Sequence, residues 1–203
     1  GNLMLVFGVI ALVWLTNLYN FMDGIDGIAI GEAVFVLGSG MLLSMLIDSA
    51  SFNKPAAVLL ACCFGFMLIN WPAAKVFMGD VGSGFLGLAL GAIVLLELLL
   101  PVWPMLILLG WFVTDACLTI SIRLARGDQI HQAHALHAYQ HLNRALGTSK
   151  TLLAVLAVNT LWLLPLAAVA TLQPDIGFVL LLLAYSPLIA AQFYCGAGQP
   201  TPG

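Results

Sequence analysis

Asn17, Asn20, Asp23 and Asp26 recur every three residues in the stretch NLYNFMDGIDGIA, residues 17–29. Side chains three apart share a helix face, so neighbouring pairs of these oxygen-bearing groups stand together. Gly24 and Gly27 allow a backbone or a ligand to come close. A second run, NWPAAKVFMGDVGSGFLG at 70–87, sets Asp80 among Gly79, Gly82 and Gly84, with Ser83 beside it. Glycine-rich turns that enter a helix present backbone N–H groups suited to phosphate. A carboxylate next to phosphate suits magnesium, which takes one or two carboxylates plus waters and phosphate oxygens. Phe77 offers a face for a base, and Lys75 a charge for a phosphate. Packing by small residues accounts for Gly84, Gly87 and Gly91 equally well, and for Asp80 and Lys75 poorly.

The third cluster is GDQIHQAHALHAYQHLNR, residues 127–144. His131, His134, His137 and His141 follow helical spacing. Three readings stay open on the residues alone: a zinc site, an interfacial amphipathic helix, or a donor face toward a diphosphate. Asp115 lies inside an apolar run and requires a partner or a buried polar pocket. A structural role suits it somewhat better than a catalytic one. Glu32, one helical turn past the first cluster, is expected at the same mouth, and Glu97 at the far end of a span.

The elements that position these groups follow from composition. Of 203 residues, 62% are hydrophobic and 7% charged, far below the roughly 25% charged of soluble proteins. Mean hydropathy is +1.08. The fold class is an all-α polytopic transmembrane bundle, a single domain over 1–203. Apolar runs bounded by polar, Pro and Gly clusters give about seven spans: 3–18, 28–47, 55–71, 85–100, 104–124, 151–172 and 176–194. The net charge of −3 contains no basic stripe, which argues against nucleic acid as a partner. Cys62, Cys63, Cys117 and Cys195 lack metal spacing and read as small hydrophobes. Lys75, Arg123, Arg126, Arg144 and Lys150 fall on one side of the spans, opposite Lys54, so that side is the expected cytoplasmic face. All three polar clusters open there, whereas a transporter would distribute polar groups at bilayer depth.

Taken together, the motifs resemble the polyprenyl-phosphate N-acetylhexosamine-1-phosphate transferases, glycosyltransferase family 4. NLYNFMDGIDGIA looks like that family's N-x-x-N-x-x-D-G-x-D-G-L-A, KVFMGDVGSGFLG like its F-M-G-D-x-G-S, and HQAHALHAYQHL like its histidine motif. NLYNFMDGIDG and HAYQH are most similar to the branch that initiates lipopolysaccharide and O-antigen synthesis. The resemblance implies transfer of a sugar-1-phosphate from a UDP-N-acetylhexosamine to undecaprenyl phosphate at the cytoplasmic face of a bacterial inner membrane. It implies Mg2+, with Mn2+ as a substitute, held by Asp80 and Asn20.

Asp23, Asp26, Asp80, His134 and His137 would be catalytic. Asn17, Asn20, Asn70, Lys75, Phe77, Gly79, Ser83 and Arg144 would bind substrate, with Asn70 and Phe77 at the uracil. Membrane lipid surrounds such a chain, and a homodimer is compatible with it. Two departures stand out. Ala135 occupies the place of the family's Arg after the first His of the motif, with Arg123, Arg126 and Arg144 nearby. The family's upstream paired-Asp motif has no counterpart, because no two acids are adjacent anywhere in the sequence. The expectation is a C-terminal portion of a longer enzyme, with an inactive membrane scaffold as the alternative.

Overall fold

A computed structural model describes residues 2–47, 53–96, 98–128 and 136–200. Among these, every regular element is helical: α1 (Asn2–Met22), α2 (Ile28–Ile47), α3 (Lys54–Asn70), α4 (Gly79–Leu95), α5 (Val102–Leu108), α6 (Gly110–Arg126), α7 (Ala138–Leu146), α8 (Thr148–Val158), α9 (Leu164–Leu172) and α10 (Gly177–Tyr194). A π-helical turn, Asn159–Leu163, joins α8 to α9. A 3₁₀ turn, Pro174–Ile176, precedes α10.

Apolar runs become helices because hydrocarbon offers the backbone no hydrogen-bond partner, so each segment must satisfy itself. Leu5, Val6, Phe7, Val9, Ile10 and Val13 on α1 remain exposed, as do Phe178, Val179, Leu182 and Leu183 on α10. Such surface is at home in lipid rather than water. α1 packs along α4. A Cβ at Gly87 would sit 2.7 Å from the Leu15 carbonyl oxygen, so the two backbones touch where a side chain would part them. Gly91 faces Leu12 and Leu15 in the same seam. α2 lies against α3, α5, α8 and α9, and α10 closes on α5, α6 and α9.

Each expected span has a helical counterpart, but their lengths differ. Four are long and apolar enough to cross a bilayer: 5–22, 28–47, 148–172 and 174–194. α3 and α4 are shorter, at 17 residues each. The span expected at 104–124 is instead broken, with α5 and α6 meeting at 74°. Side chains from α10 hold both arms of the break. Tyr185 Oη donates to the Leu106 carbonyl at 2.7 Å, and Gln192 Nε2 donates to the Trp111 carbonyl at 3.1 Å. A break inside an apolar segment persists when neighbouring side chains take over the released carbonyls. The π-helical turn likewise interrupts the segment expected to run unbroken over 151–172; Pro165, just beyond it, has no N–H to donate.

Candidate active site

The turn after α1 carries the first cluster. α1 ends at Met22, and Gly27 adopts φ +81° before α2 begins. That left-handed backbone suits a residue without Cβ. Two bonds tie this turn to the end of α3 and the segment after it. The Gly27 N–H donates to Asn70 Oδ1 at 3.1 Å, and the Ala74 N–H donates to Asp26 Oδ2 at 3.0 Å. Asn70 Nδ2 donates in turn to the Val76 carbonyl at 2.9 Å. One buried amide thereby braces both turns against each other.

Between them lies a cleft of about 250 Å3, lined by Asn20, Asp23, Gly24, Ile25, Asp26, Asn70, Phe77, Met78, Gly79 and Asp80. The first two sequence clusters, some 50 residues apart, thus become one site. Gly79 and Asp80 open α4, so the positive end of that helix faces the cleft. Asp23 titrates upward from 3.8 to about 6, first because it is partly buried and second because Asp80 carries the same charge nearby. A cation between the two carboxylates would relieve that repulsion.

The polar groups that line the cleft are oxygen donors, Asp23, Asp80 and the Asn20 amide, while Asp26 Oδ2 is engaged with the Ala74 N–H. No group of three or more His, Cys, Asp or Glu gathers for a metal among the described residues. An open oxygen set of this kind fits a hard cation that completes its shell with water and phosphate, rather than a zinc cage. The four cysteines are free.

Several expected residues stand elsewhere. Ser83 is buried behind the cleft, where its hydroxyl donates to Asn20 Oδ1 at 2.8 Å. Asn17 and Lys75 are exposed and outside the lining, as is Arg144 on α7. His137 is not in the cleft. It is buried at the start of α7, with Nδ1 3.4 Å from Asp115 Oδ1. Its backbone is extended, so α7 begins only at Ala138, and the four histidines do not share one uninterrupted helix. His131, His134 and Ala135 lie outside the described residues, as does Glu97. Arg126 donates to the Gly198 carbonyl and pairs with Asp128.

Asp115 has found its partners. It is fully buried, and its oxygens accept from the backbone N–H groups of Ala138 at 2.9 Å and Tyr139 at 3.1 Å, and from Thr119 Oγ1 at 3.2 Å. Glu32 does not reach the mouth. It turns into a separate apolar cavity of about 220 Å3 between α2, α3 and α8, where Asn159 Nδ2 donates to its Oε2 at 2.6 Å.

Sequence reasoning missed Ile25 and Met78 as lining residues, and missed Tyr139 altogether. Tyr139 is buried and its hydroxyl donates to the Phe21 carbonyl at 3.1 Å. An aromatic at that position carries no signal by type or spacing.

Residues 1–97 match the family model described as Glycosyl transferase family 4. The chain is 30% identical over 180 residues to the phospho-N-acetylmuramoyl-pentapeptide-transferase of Prochlorococcus marinus (strain NATL2A), covering 82% of this chain and 46% of that protein. It is 27% identical over 191 residues to a Bacillus subtilis (strain 168) protein named "Probable undecaprenyl-phosphate N-acetylglucosaminyl 1-phosphate transferase", covering 90% of this chain and 53% of that one. A phospho-N-acetylmuramoyl-pentapeptide-transferase of Acetivibrio thermocellus is 35% identical over 150 residues, 70% of this chain and 44% of the relative. The chain spans about half the length of the curated relatives it matches.

Proposed function

We propose that this protein transfers an N-acetylhexosamine-1-phosphate from a UDP-sugar to undecaprenyl phosphate, releasing UMP, as the first step of a cell-surface polysaccharide. The observation that carries this reading is the cleft itself. It unites Asn20, Asp23, Asp26 and Asp80 at the N-terminus of α4, beside membrane-length apolar helices. The names of the relatives support the same reaction class. The resemblance of NLYNFMDGIDG and HAYQH favours the O-antigen branch, and the basic residues on that side favour a cytoplasmic cleft.

The chemistry requires positioning more than a strong base. A phosphate monoester has a second pKa near 6, so the acceptor oxygen is largely ionised at neutral pH. It attacks the phosphorus that bears the sugar. The bond from that phosphorus to the bridging oxygen breaks, and the electron pair leaves with UMP. Four anionic centres then crowd one site: the acceptor phosphate, the diphosphate and the two facing carboxylates. The N-terminal amides of α4 offer the phosphates donors and a favourable dipole. Asp80 and Asp23, with Asn20, would hold magnesium, which when bound supplies charge neutralisation of the diphosphate. Phe77, exposed at the rim, offers a stacking face to uracil. The Asn70 amide is occupied in bracing the turns, so it shapes that end of the cleft.

The test is transfer of labelled sugar-1-phosphate from UDP-N-acetylhexosamines to undecaprenyl phosphate in detergent with magnesium. Product and UMP are expected in equal amounts, abolished by EDTA and by Asp80→Asn. Absence of transfer from every donor, or an undiminished Asp80→Asn variant, overturns the reading.

A further inference from the structure

Asp26 is held by the turn after α3, but the hydrogen bonds described for that turn do not reach the Asp23 end of the loop. The contact that does comes from α7, 118 residues away in the chain. The Tyr139 hydroxyl donates to the Phe21 carbonyl in the last turn of α1. That oxygen precedes Asp23 by two residues and lies among the helix-end carbonyls that need an outside donor. The same hydroxyl lies so close to Gly24 that a Cβ there would overlap it, while Tyr139 Cζ and Gln140 Nε2 would each be 3.1 Å from that Cβ.

Tyr139 is itself immobilised. Its backbone N–H and that of Ala138 donate to the fully buried Asp115, and its ring stacks on His137 at 5.8 Å between centroids. The Gln140 side chain closes back on the His137 N–H at 3.1 Å. A continuous set of contacts therefore runs from Asp115 on α6, through the first turn of α7, to the residues on either side of Asp23.

We infer that Tyr139 is a positioning residue, held by Asp115, that fixes the Asp23 carboxylate opposite Asp80 for the reaction. It does not line the cleft; it acts by closing one end of the 23–27 turn. This rests on the reaction proposed above, and its geometric half can be read without that reaction.

Three variants of the protein in detergent test it: Tyr139→Phe, Gly24→Ala and the two combined. Tyr139→Phe keeps the ring and removes only the hydroxyl. Amide exchange across 23–26 is expected to accelerate about 10-fold, with α4 and α10 unchanged, because a local opening exposes only the segment it frees. Turnover is expected to fall about 10-fold with KM for the UDP-sugar within about twofold, as displaced catalytic groups lose rate rather than binding. Gly24→Ala is expected to be worse than Tyr139→Phe, and the double variant to recover part of the way toward the Tyr139→Phe level, since the overlapping hydroxyl is gone while the ring carbon and Gln140 Nε2 at 3.1 Å remain. Asp115→Asn should reproduce the faster exchange.

Unchanged exchange in 23–26, acceleration spread evenly over the helices, or strictly additive losses in the double variant would each overturn the inference. Faster local exchange in a protein that transfers no sugar phosphate at all overturns the proposed reaction and leaves Tyr139 as the anchor of the turn.

Discussion

Ser83 and Asn20 are 63 residues apart, and the Ser83 hydroxyl donates to Asn20 Oδ1 at 2.8 Å across the α1–α4 seam. The serine is fully buried and the asparagine lines the cleft, so one sets the direction in which the other presents its amide. Ser83→Ala removes that constraint, together with the hydroxyl's 3.2 Å approach to the Gly79 carbonyl one turn back on α4. We expect turnover to fall about 10-fold through misorientation, with a stability loss of only about 1 kcal/mol. Steady-state transfer and the midpoint of unfolding in detergent, measured together, check both figures. A stability loss without a turnover loss would make Ser83 a packing residue.

The seam that brings them together depends on Gly87. A Cβ there meets the Leu15 carbonyl oxygen at 2.7 Å and Thr16 Cα at 2.7 Å, and backbone atoms cannot swing aside as a side chain would. Gly87→Ala is expected to destabilise the protein by about 1–3 kcal/mol through overpacking. Gly84→Ala, whose nearest neighbour is Thr16 Cγ2 at 3.8 Å, should be nearly neutral. Unfolding midpoints of the two variants decide the matter, and equal losses would argue against close backbone contact at Gly87.

Asp23 carries a pH dependence of defined sign. Its folded value of about 6 lies above the ordinary 3.8, because burial and then Asp80 both disfavour the charge. The folded state therefore holds a proton that the unfolded chain has released. Asp23 favours the fold fully below pH 3.8, and that contribution is lost as the pH rises through about 6. In EDTA, the parent should lose stability relative to Asp23→Asn between those two values. Asp80→Asn should lessen the effect without removing it, because burial is the larger cause. Added magnesium should lessen it too, since a bound cation favours the carboxylate. A parent-minus-variant difference that stays flat with pH would contradict the assignment.

Glu32 offers a control outside the cleft. Its Oε2 is the acceptor for Asn159 Nδ2 in a buried pair that links α2 to the π-helical turn. Glu32→Ala leaves that donor without a partner and should destabilise the protein by about 1–3 kcal/mol. Glu32→Gln, which keeps an acceptor, should lose less. KM for the UDP-sugar should be the same in all three proteins, because Glu32 does not line the cleft. A raised KM would connect the two cavities.

Much of this was determined by the sequence alone. Long apolar runs must become helices wherever water is scarce, so the approximate places of α1, α2, α3, α4 and α10 follow from composition. The spacing of Asn20, Asp23 and Asp26, and the glycines around Asp80, mark the two stretches that form the walls of the cleft. Tertiary structure decided the rest, for a physical reason that is the same each time. Periodicity says which residues share a face, but not what that face meets. Ser83 stands behind Asn20 because α4 lies on α1, and His137 turns inward because Asp115 on α6 gathers the start of α7. The break at Leu109 persists because Tyr185, more than 70 residues later, satisfies the Leu106 carbonyl beside it. Tyr139 reaches the turn of Asp23 only because α7 is anchored to α6 on one side and meets the end of α1 on the other.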